Sequence, residues 1–566
     1  MKFTRILVLL AGTALPVAAQ APAANFAPHA MVAAANPLAA AAGLEMLKAH
    51  GSAVDAAIAT QLVLNLVEPE SSGIGGGAFM LVYDPKAKKT TSFDGREVAP
   101  QSATPGMFLD AAGQPRTHGD PIPGGLSVGI PGVIGMLQLA HDKYGKLPWA
   151  QLFAPAIHIA ENGFPIGPKL ARTIAGAARM KNMPDIARMF FHADGTPMQE
   201  GELLKNPELA QTFRAIAAGG AKAFYTGPIA QAIVDAVQHA PGKNQGGMTM
   251  ADLSGFQARE LDPVCGDYRV YHLCSMGPPS SGGVAIVQIL GMLQRFPASD
   301  LVPNTLSETH LFTQASRLAY ADRAKYLGDA SVVGVPVTGL LDKGYIASRA
   351  ALIDPARDMG TAQAGNPPEK HAAYAPQVSP ENHGTSHMTI VDDSGEVIAM
   401  TTSVETVFGA EIMARGFILN NTLTDFSFQP VRDGAPVANA PAPGNRPLSA
   451  MSPTIVFDRN GNFVLGIGSP GGPSIIEYVA QSLVAVLDGG LSPQEAISLP
   501  RHLNTNTGTT LERSPWADQI GPQLTAMGHA VRTAGGEGSG LHAIQKVPGG
   551  YRGGADPRRD GVVIGN

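Results

Sequence analysis

The chain has 566 residues, 44% of them hydrophobic and only 15% charged, enough apolar material for a large core and too few charges for a disordered chain. Its net charge is −6, with no basic run and no aromatic-plus-basic cluster, which argues against nucleic-acid binding. There is no internal repeat, and no long apolar stretch that would make a membrane span.

Taken in chain order, residues 1–19 read as a secretory signal. Lys2 and Arg5 form the charged region, residues 6–17 the apolar run, and Val17-Ala18-Ala19 or Ala19-Gln20-Ala21 the small-residue cleavage site. The apolar run is too short for a membrane anchor, so export, to a bacterial periplasm or beyond, is expected. Asn36 caps a helix with Pro37 in its first turn and Gly51 beyond its end. A second helix starts from Ser52, with Asp55 as capping partner, and stops before Pro69. Gly73-Ile74-Gly75-Gly76-Gly77-Ala78 fits a dinucleotide pattern, but residues 79–83 read as a strand where such a site needs a helix, so no nucleotide cofactor is expected. Helices fill much of 130–240 and 283–350. Cys265 and Cys274 flank Tyr268-Arg269-Val270-Tyr271 and can close a hairpin disulfide in an oxidising compartment; they lack the partners of a zinc site. Residues 355–384 are polar and rich in Pro and Gly, which predicts an exposed, mobile segment.

That segment ends at Gly384-Thr385-Ser386-His387. A Thr hydroxyl needs a base beside it to act as a nucleophile. Cutting the chain just before Thr385 supplies one, because a freed α-amine has a pKa of roughly 7.7–8.0. Gly384 suits such a cut, since a residue without Cβ tolerates strained geometry. Residues 388–391 and 397–404 form two strands around the turn Asp392-Asp393-Ser394-Gly395, and pairing them puts Thr385 opposite Ser403. The histidines His383 and His387 are four apart, but the strand pattern keeps them from sharing a helix face as metal ligands.

Thr385-Ser386-His387-x-Thr389 followed by Thr401-x-Ser403-Val404-Glu405-x-x-Phe408-Gly409 resembles the processing site of the γ-glutamyltransferases. The likeness continues through Val67-Glu68-Pro69-Glu70-Ser71-Ser72-Gly73, Asp94-Gly95-Arg96-Glu97, Pro278-Pro279-Ser280-Ser281-Gly282-Gly283, Arg317-Leu318-Ala319-Tyr320-Ala321-Asp322-Arg323, Leu419-Asn420-Asn421, Arg446-Pro447-Leu448-Ser449, Gly468-Ser469-Pro470-Gly471-Gly472 and Ala555-Asp556-Pro557-Arg558-Arg559. These blocks run continuously, so one interlocked unit is expected rather than separate domains. The resemblance implies the N-terminal-nucleophile hydrolase architecture, an α+β four-layer αββα sandwich. It also implies a precursor that cleaves itself at Gly384–Thr385 into a large chain, 20–384, and a small catalytic chain, 385–566, which stay together as a heterodimer.

The same resemblance assigns roles. Arg96 would grip the α-carboxylate of a γ-glutamyl group, for which a guanidinium fork is suited. Asp425 and Glu405 would receive the α-ammonium, Ser449 would bond the carboxylate, and Gly471 and Gly472 would donate backbone N–H groups to the oxyanion. This chain departs from the family pattern at Ala450, where a second serine is usual, at Thr422, where Gln or Glu stands beside the ammonium, and at Ser403, where Thr is usual. It lacks a tyrosine between Asn421 and Arg446, which implies a more open site. The implied reaction passes a γ-glutamyl group from glutathione or a related amide, through a Thr385 ester, to water or to an amino acid or peptide acceptor, with no cofactor or metal. A cephalosporin or glutaryl acylase is the alternative within the family, and an uncleaved, non-catalytic binding homologue the third reading.

Overall fold

The computed structural model describes residues 25–377, 384–535 and 538–566, so the expected export signal and His383 lie outside the described residues. Helix Pro37–Lys48 begins where Asn36 Oδ1 accepts from the Leu38 N–H at 2.9 Å. Helix Ala53–Val67 begins with a capping box in which Ser52 and Asp55 bond each other's backbone N–H groups. All of its residues are buried, which is the pattern of a helix enclosed on every side.

Two seven-stranded sheets form the centre, and every pairing within them is antiparallel. In the first, Gly384–Val391 and Val397–Glu405 are the middle strands, flanked by Met31–Ala34 on one side and Gly77–Asp84 on the other. In the second, Phe463–Gly468 occupies the middle, between Thr454–Phe457 and His542–Val547. Side chains alternate across each strand. Leu81, Tyr83, Val397 and Ala399 meet Cys274, Ile455, Phe457 and Ile544 between the sheets. Met80, Val82, Met388, Ile390, Ile398 and Met400 turn the other way, onto the helix layer that contains Pro37–Lys48 and Ala53–Val67. The second sheet packs outward on Gly282–Leu293, Leu306–Tyr326 and Ile475–Leu487. The expected αββα order is thus present. Each sheet draws strands from both sides of residue 384, so the two portions of chain are interlocked.

Cys265 and Cys274 face each other across the hairpin Val264–Tyr268/Tyr271–Ser275 and are disulfide-bonded. The Gly73–Gly77 run serves backbone contact with the neighbouring strand, since a Cβ on Gly76 would meet Ser403 O at 2.0 Å; as predicted, a strand follows it. Residues 355–377 lie largely at the surface, as expected. They form no helix and only a β-bridge of Ala375 with Val437, yet they are held. Arg317 donates to Gly360 O, Gly365 N–H to Asp322 and Tyr326 Oη to Gly365 O, while Asn506 bonds Ala362 in both directions. A segment too polar to make its own ladder meets its backbone needs from the side chains of helix Leu306–Tyr326.

The sheets approach closely where the active hairpin crosses Phe463–Gly468. His387 is buried between them, with Thr401 Oγ1 at 2.9 Å from Nδ1 and Thr389 Oγ1 at 3.1 Å from Nε2. Burial pushes its pKa well below the ordinary value, so the ring is neutral and structural. A Cβ on Gly468 would stand 2.2 Å from His387 Cε1. Gly468→Ala is therefore expected to destabilise the fold by about 1–3 kcal/mol, read as a lowered denaturation midpoint.

Candidate active site

The site is built outward from the start of the Gly384–Val391 strand. Register places Thr385 opposite Ser403, and the pairing is irregular between Gly384 and Thr385. Thr385 Oγ1 lies 3.0 Å from Ser403 Oγ. Ser403 Oγ donates to the Gly384 carbonyl at 2.5 Å and accepts from the Glu405 N–H at 2.9 Å. With the serine proton engaged on Gly384, the Thr385 hydroxyl is the donor to Ser403. The carbonyl before Thr385 is thus polarised by the same serine that orients the Thr385 oxygen. Gly384 is confined as well: a Cβ there would meet the Glu405 and Thr406 carbonyl oxygens at 2.6 Å.

Two contacts secure the strand from behind. Arg559 donates to the Thr385 carbonyl at 2.9 Å. Ser386, pointing to the helix side, donates to Glu68 at 2.6 Å, and Lys169 bridges Glu68 and Glu70 at 2.8 and 2.7 Å. Burial pushes the Glu68 carboxyl up, but Lys169 and Arg559 outweigh it and hold the group ionised.

Thr385 and Ser403 open into a small cleft that also contains Arg96, Glu405, Asp425 and Ser449. Arg96 is 1% exposed. Its Nη2 donates to Asp425 Oδ2 at 2.5 Å and to Leu448 O at 3.3 Å, its Nε donates to Pro447 O at 3.1 Å, and Nη1 sits 3.4 Å from Glu97. Burial disfavours its charge, but Glu97, Asp425 and Glu405 together more than compensate and hold it protonated. Ala450 lines the cleft beside Ser449, as the sequence reading placed it. Thr422 does not line it. Its hydroxyl donates to Glu97 at 2.7 Å, so it reaches the cleft only through the Glu97–Arg96 pair.

Gly472 lines the cleft and Gly471 the groove next to it, at φ 57° and 131°, values that favour glycine. The turn they make is tied to helix Leu306–Tyr326. Tyr320 Oη donates to Pro473 O, Ser316 Oγ donates to Glu477 at 2.8 Å, and Arg323 lines the cleft while its Nε donates to Ser281 Oγ at 2.8 Å. Ser316, Tyr320 and Arg323 follow i, i+4, i+7 spacing and share one helix face. Arg323 carries no role in the residue pattern read from the sequence; its i, i+7 spacing from Ser316 is the signal that marks it.

Arg96 also neutralises two acids at a site shielded from water. Arg96→Ala leaves Glu97 and Asp425 without their cation, and is expected to lower stability by about 3–5 kcal/mol in a denaturant titration, in addition to any loss of binding. Arg96→Lys keeps the charge but not the fork that reaches Pro447, Leu448 and Asp425, and is expected to recover only part of that loss.

Comparison with known proteins agrees with this geometry. A sequence model of the family described as gamma-glutamyltranspeptidase matches residues 39–566. The glutathione hydrolase proenzyme of Bacillus subtilis (strain 168) is 38% identical over 545 residues, spanning 94% of this chain and 91% of the relative. The acylase ACY 1 proenzyme of Pseudomonas sp. (strain V22) is 32% identical over 94% of this chain and 93% of its own. The crystal structure of cephalosporin acylase from Bacillus halodurans superposes with a TM-score of 0.82 at 27% identity, covering 99% of both chains. A central hairpin that sets Thr385 against Ser403, an αββα sandwich and a family match over nearly the whole length lead to one conclusion: this chain is an enzyme of the γ-glutamyltranspeptidase family, within the N-terminal-nucleophile hydrolases.

Proposed function

We propose that the chain is a proenzyme that cuts itself at Gly384–Thr385 and then acts as a γ-glutamyl hydrolase and transferase on glutathione and related γ-glutamyl amides. The observation that carries this reading is the arrangement of Thr385 Oγ1, Ser403 Oγ and the Gly384 carbonyl at hydrogen-bonding distances in the uncut chain. Thr385 Oγ1 attacks the Gly384 carbonyl carbon. The C–N bond breaks as the ester C–O bond forms, and the threonine proton ends on the new α-amine. Water then hydrolyses the ester, leaving a carboxylate on Gly384 and a free Thr385 at the head of the small chain.

In turnover the same oxygen attacks a γ-carbonyl and the α-amine takes its proton. That proton leaves with the departing amine, and the γ-glutamyl ester passes to water or to an acceptor amine. The Gly471–Gly472 turn supplies N–H donors for the oxyanion, a contribution worth roughly 2.7–4 kcal/mol per donor in comparable sites. Arg96 and Ser449 take the α-carboxylate. The two portions of chain stay together because both sheets contain strands from each. Residues 1–19 direct the protein out of the cytoplasm, and no helix of the described residues is long and apolar enough to cross a membrane.

The acylase reading is supported by the relatives named above. Against it stand two acids in the cleft, Asp425 and Glu405, which an acyl group lacking an α-ammonium does not require. Two measurements test these readings, the first their shared cleavage step and the second the choice between them. Intact mass spectrometry is expected to show two fragments meeting at Gly384–Thr385, and Thr385→Ala a single uncut chain with no activity. γ-Glutamyl-p-nitroanilide is expected to be cleaved with a kcat/KM at least tenfold above that of glutaryl-p-nitroanilide; the reverse preference would establish the acylase, and an uncut wild-type chain would overturn both.

A further inference from the structure

The hairpin Val264–Tyr268/Tyr271–Ser275 forms one edge of the second sheet, and it carries more than its disulfide. Cross-strand register pairs Cys265 with Cys274 and Asp267 with His272, so all four side chains stand on one face. The sulfurs of both cysteines and a ring nitrogen of His272 lie within 4.8 Å of one another. His272 Nε2 is 3.7 Å from Cys274 Sγ, while Nδ1 is 2.9 Å from Asp267 Oδ1. The sequence reading found no zinc ligand to join the two cysteines; the register supplies His272. Cys-x-Asp on one strand facing His-x-Cys on the other is a set that only the pairing brings together.

The arrangement suits a tetrahedral ion. With metal–sulfur bonds of about 2.3 Å and metal–nitrogen bonds of about 2.0–2.1 Å, a sulfur and a nitrogen ligand stand about 3.6 Å apart. The Cys274–His272 separation is already close to that value. A carboxylate on Nδ1 keeps the ring proton there and leaves the Nε2 lone pair toward the sulfurs, which is the tautomer and orientation of a metal-bound imidazole. Asp267 and His272 are exposed, Cys265 half-buried and Cys274 buried. All four line an open groove of about 1430 Å³, which admits both a reductant and an ion. Among the described residues, that groove and the Thr385 cleft have no lining residue in common.

We propose that this hairpin is a redox-gated site for a divalent ion of the zinc type: a disulfide in the oxidised protein, and in the reduced protein a metal site of Cys265, Cys274 and His272, with Asp267 orienting the histidine. In the gating step two equivalents of a low-molecular-weight thiol are oxidised to their disulfide while Cys265–Cys274 is reduced to two thiols. Each cysteine thiol then gives its proton to solvent as its sulfur binds the ion. Neutral His272 adds Nε2, and a water takes the fourth position. The disulfide and the ion compete for the same two sulfurs, so bound metal protects the reduced hairpin from reoxidation. The inference is independent of the γ-glutamyl reading, because none of these residues lines the Thr385 cleft.

The test titrates Co²⁺ into the whole protein before and after reduction with a phosphine, then displaces it with Zn²⁺, which binds such ligands more tightly. The reduced wild type is expected to take up a single Co²⁺ per chain, with thiolate-to-cobalt charge-transfer absorption, and the oxidised protein none. Cys265→Ser/Cys274→Ser is expected to abolish that absorption. Asp267→Asn, an exposed change that leaves both cysteines in place, is expected to weaken binding about ten- to a hundredfold, and His272→Ala at least as much. Uptake by the reduced wild type no greater than by the oxidised protein would overturn the proposal, as would affinity indifferent to His272 and Asp267. Loss of the far-UV circular dichroism on reduction would overturn it too, because the ligand set must be held by the register of the folded hairpin.

Discussion

Everything at this site depends on the register of one hairpin. A slip of a single residue between Gly384–Val391 and Val397–Glu405 would turn Thr385 from the inter-sheet face to the helix face and exchange it with Ser386. The register is held from four directions. Met388 and Ile390 are committed to the helix layer, His387 to the seam against Gly468, Ser386 to Glu68, and the Thr385 carbonyl to Arg559. Because both strands are central in their sheet, neither can shift without breaking ladders on both sides. Thr385, the proposed nucleophile, is therefore positioned by core packing rather than by a loop, which is what a group that must react within a narrow geometry requires.

The electrostatics divide along the Gly471–Pro473 turn. On the cleft side, Arg96 is enclosed by Glu97, Asp425 and two backbone carbonyls, and the lining as a whole holds two cations, Arg96 and Arg323, and two acids, Asp425 and Glu405. On the other side every charged residue of the described lining is a cation. The turn between them is tied down by Tyr320 and flanked by Tyr478, which a Cβ on Gly471 would touch at 2.5 Å. One helix face, Ser316 to Arg323, thus supports the turn and reaches into the glutamyl cleft.

Much of this was legible in the residues. Helix caps at Asn36 and Ser52 are local, three-residue interactions and were read correctly, as was the hairpin that places Thr385 against Ser403. Residues 355–377 lie largely at the surface as read, but the side chains that hold their backbone, from helix Leu306–Tyr326 and from Asn506, are not announced by a polar, Pro/Gly-rich stretch. Thr422 was placed beside the substrate by the resemblance, but its hydroxyl donates to Glu97, a contact that no pattern along the chain encodes.

By itself, then, the amino-acid sequence determined the family, the sandwich, the candidate nucleophile and the charged residues at the glutamyl end, because these depend on local patterns and on blocks of residues kept in order. The tertiary structure alone decided that Ser403 also donates to the Gly384 carbonyl, that Arg323 joins the cleft, and that Lys169, Arg172, Arg532, Arg558 and Arg559 gather in one groove. Those cations come from segments hundreds of residues apart. Only the packing of two sheets and their helices brings their charges within reach of one another, and no periodicity along the chain encodes such a sum.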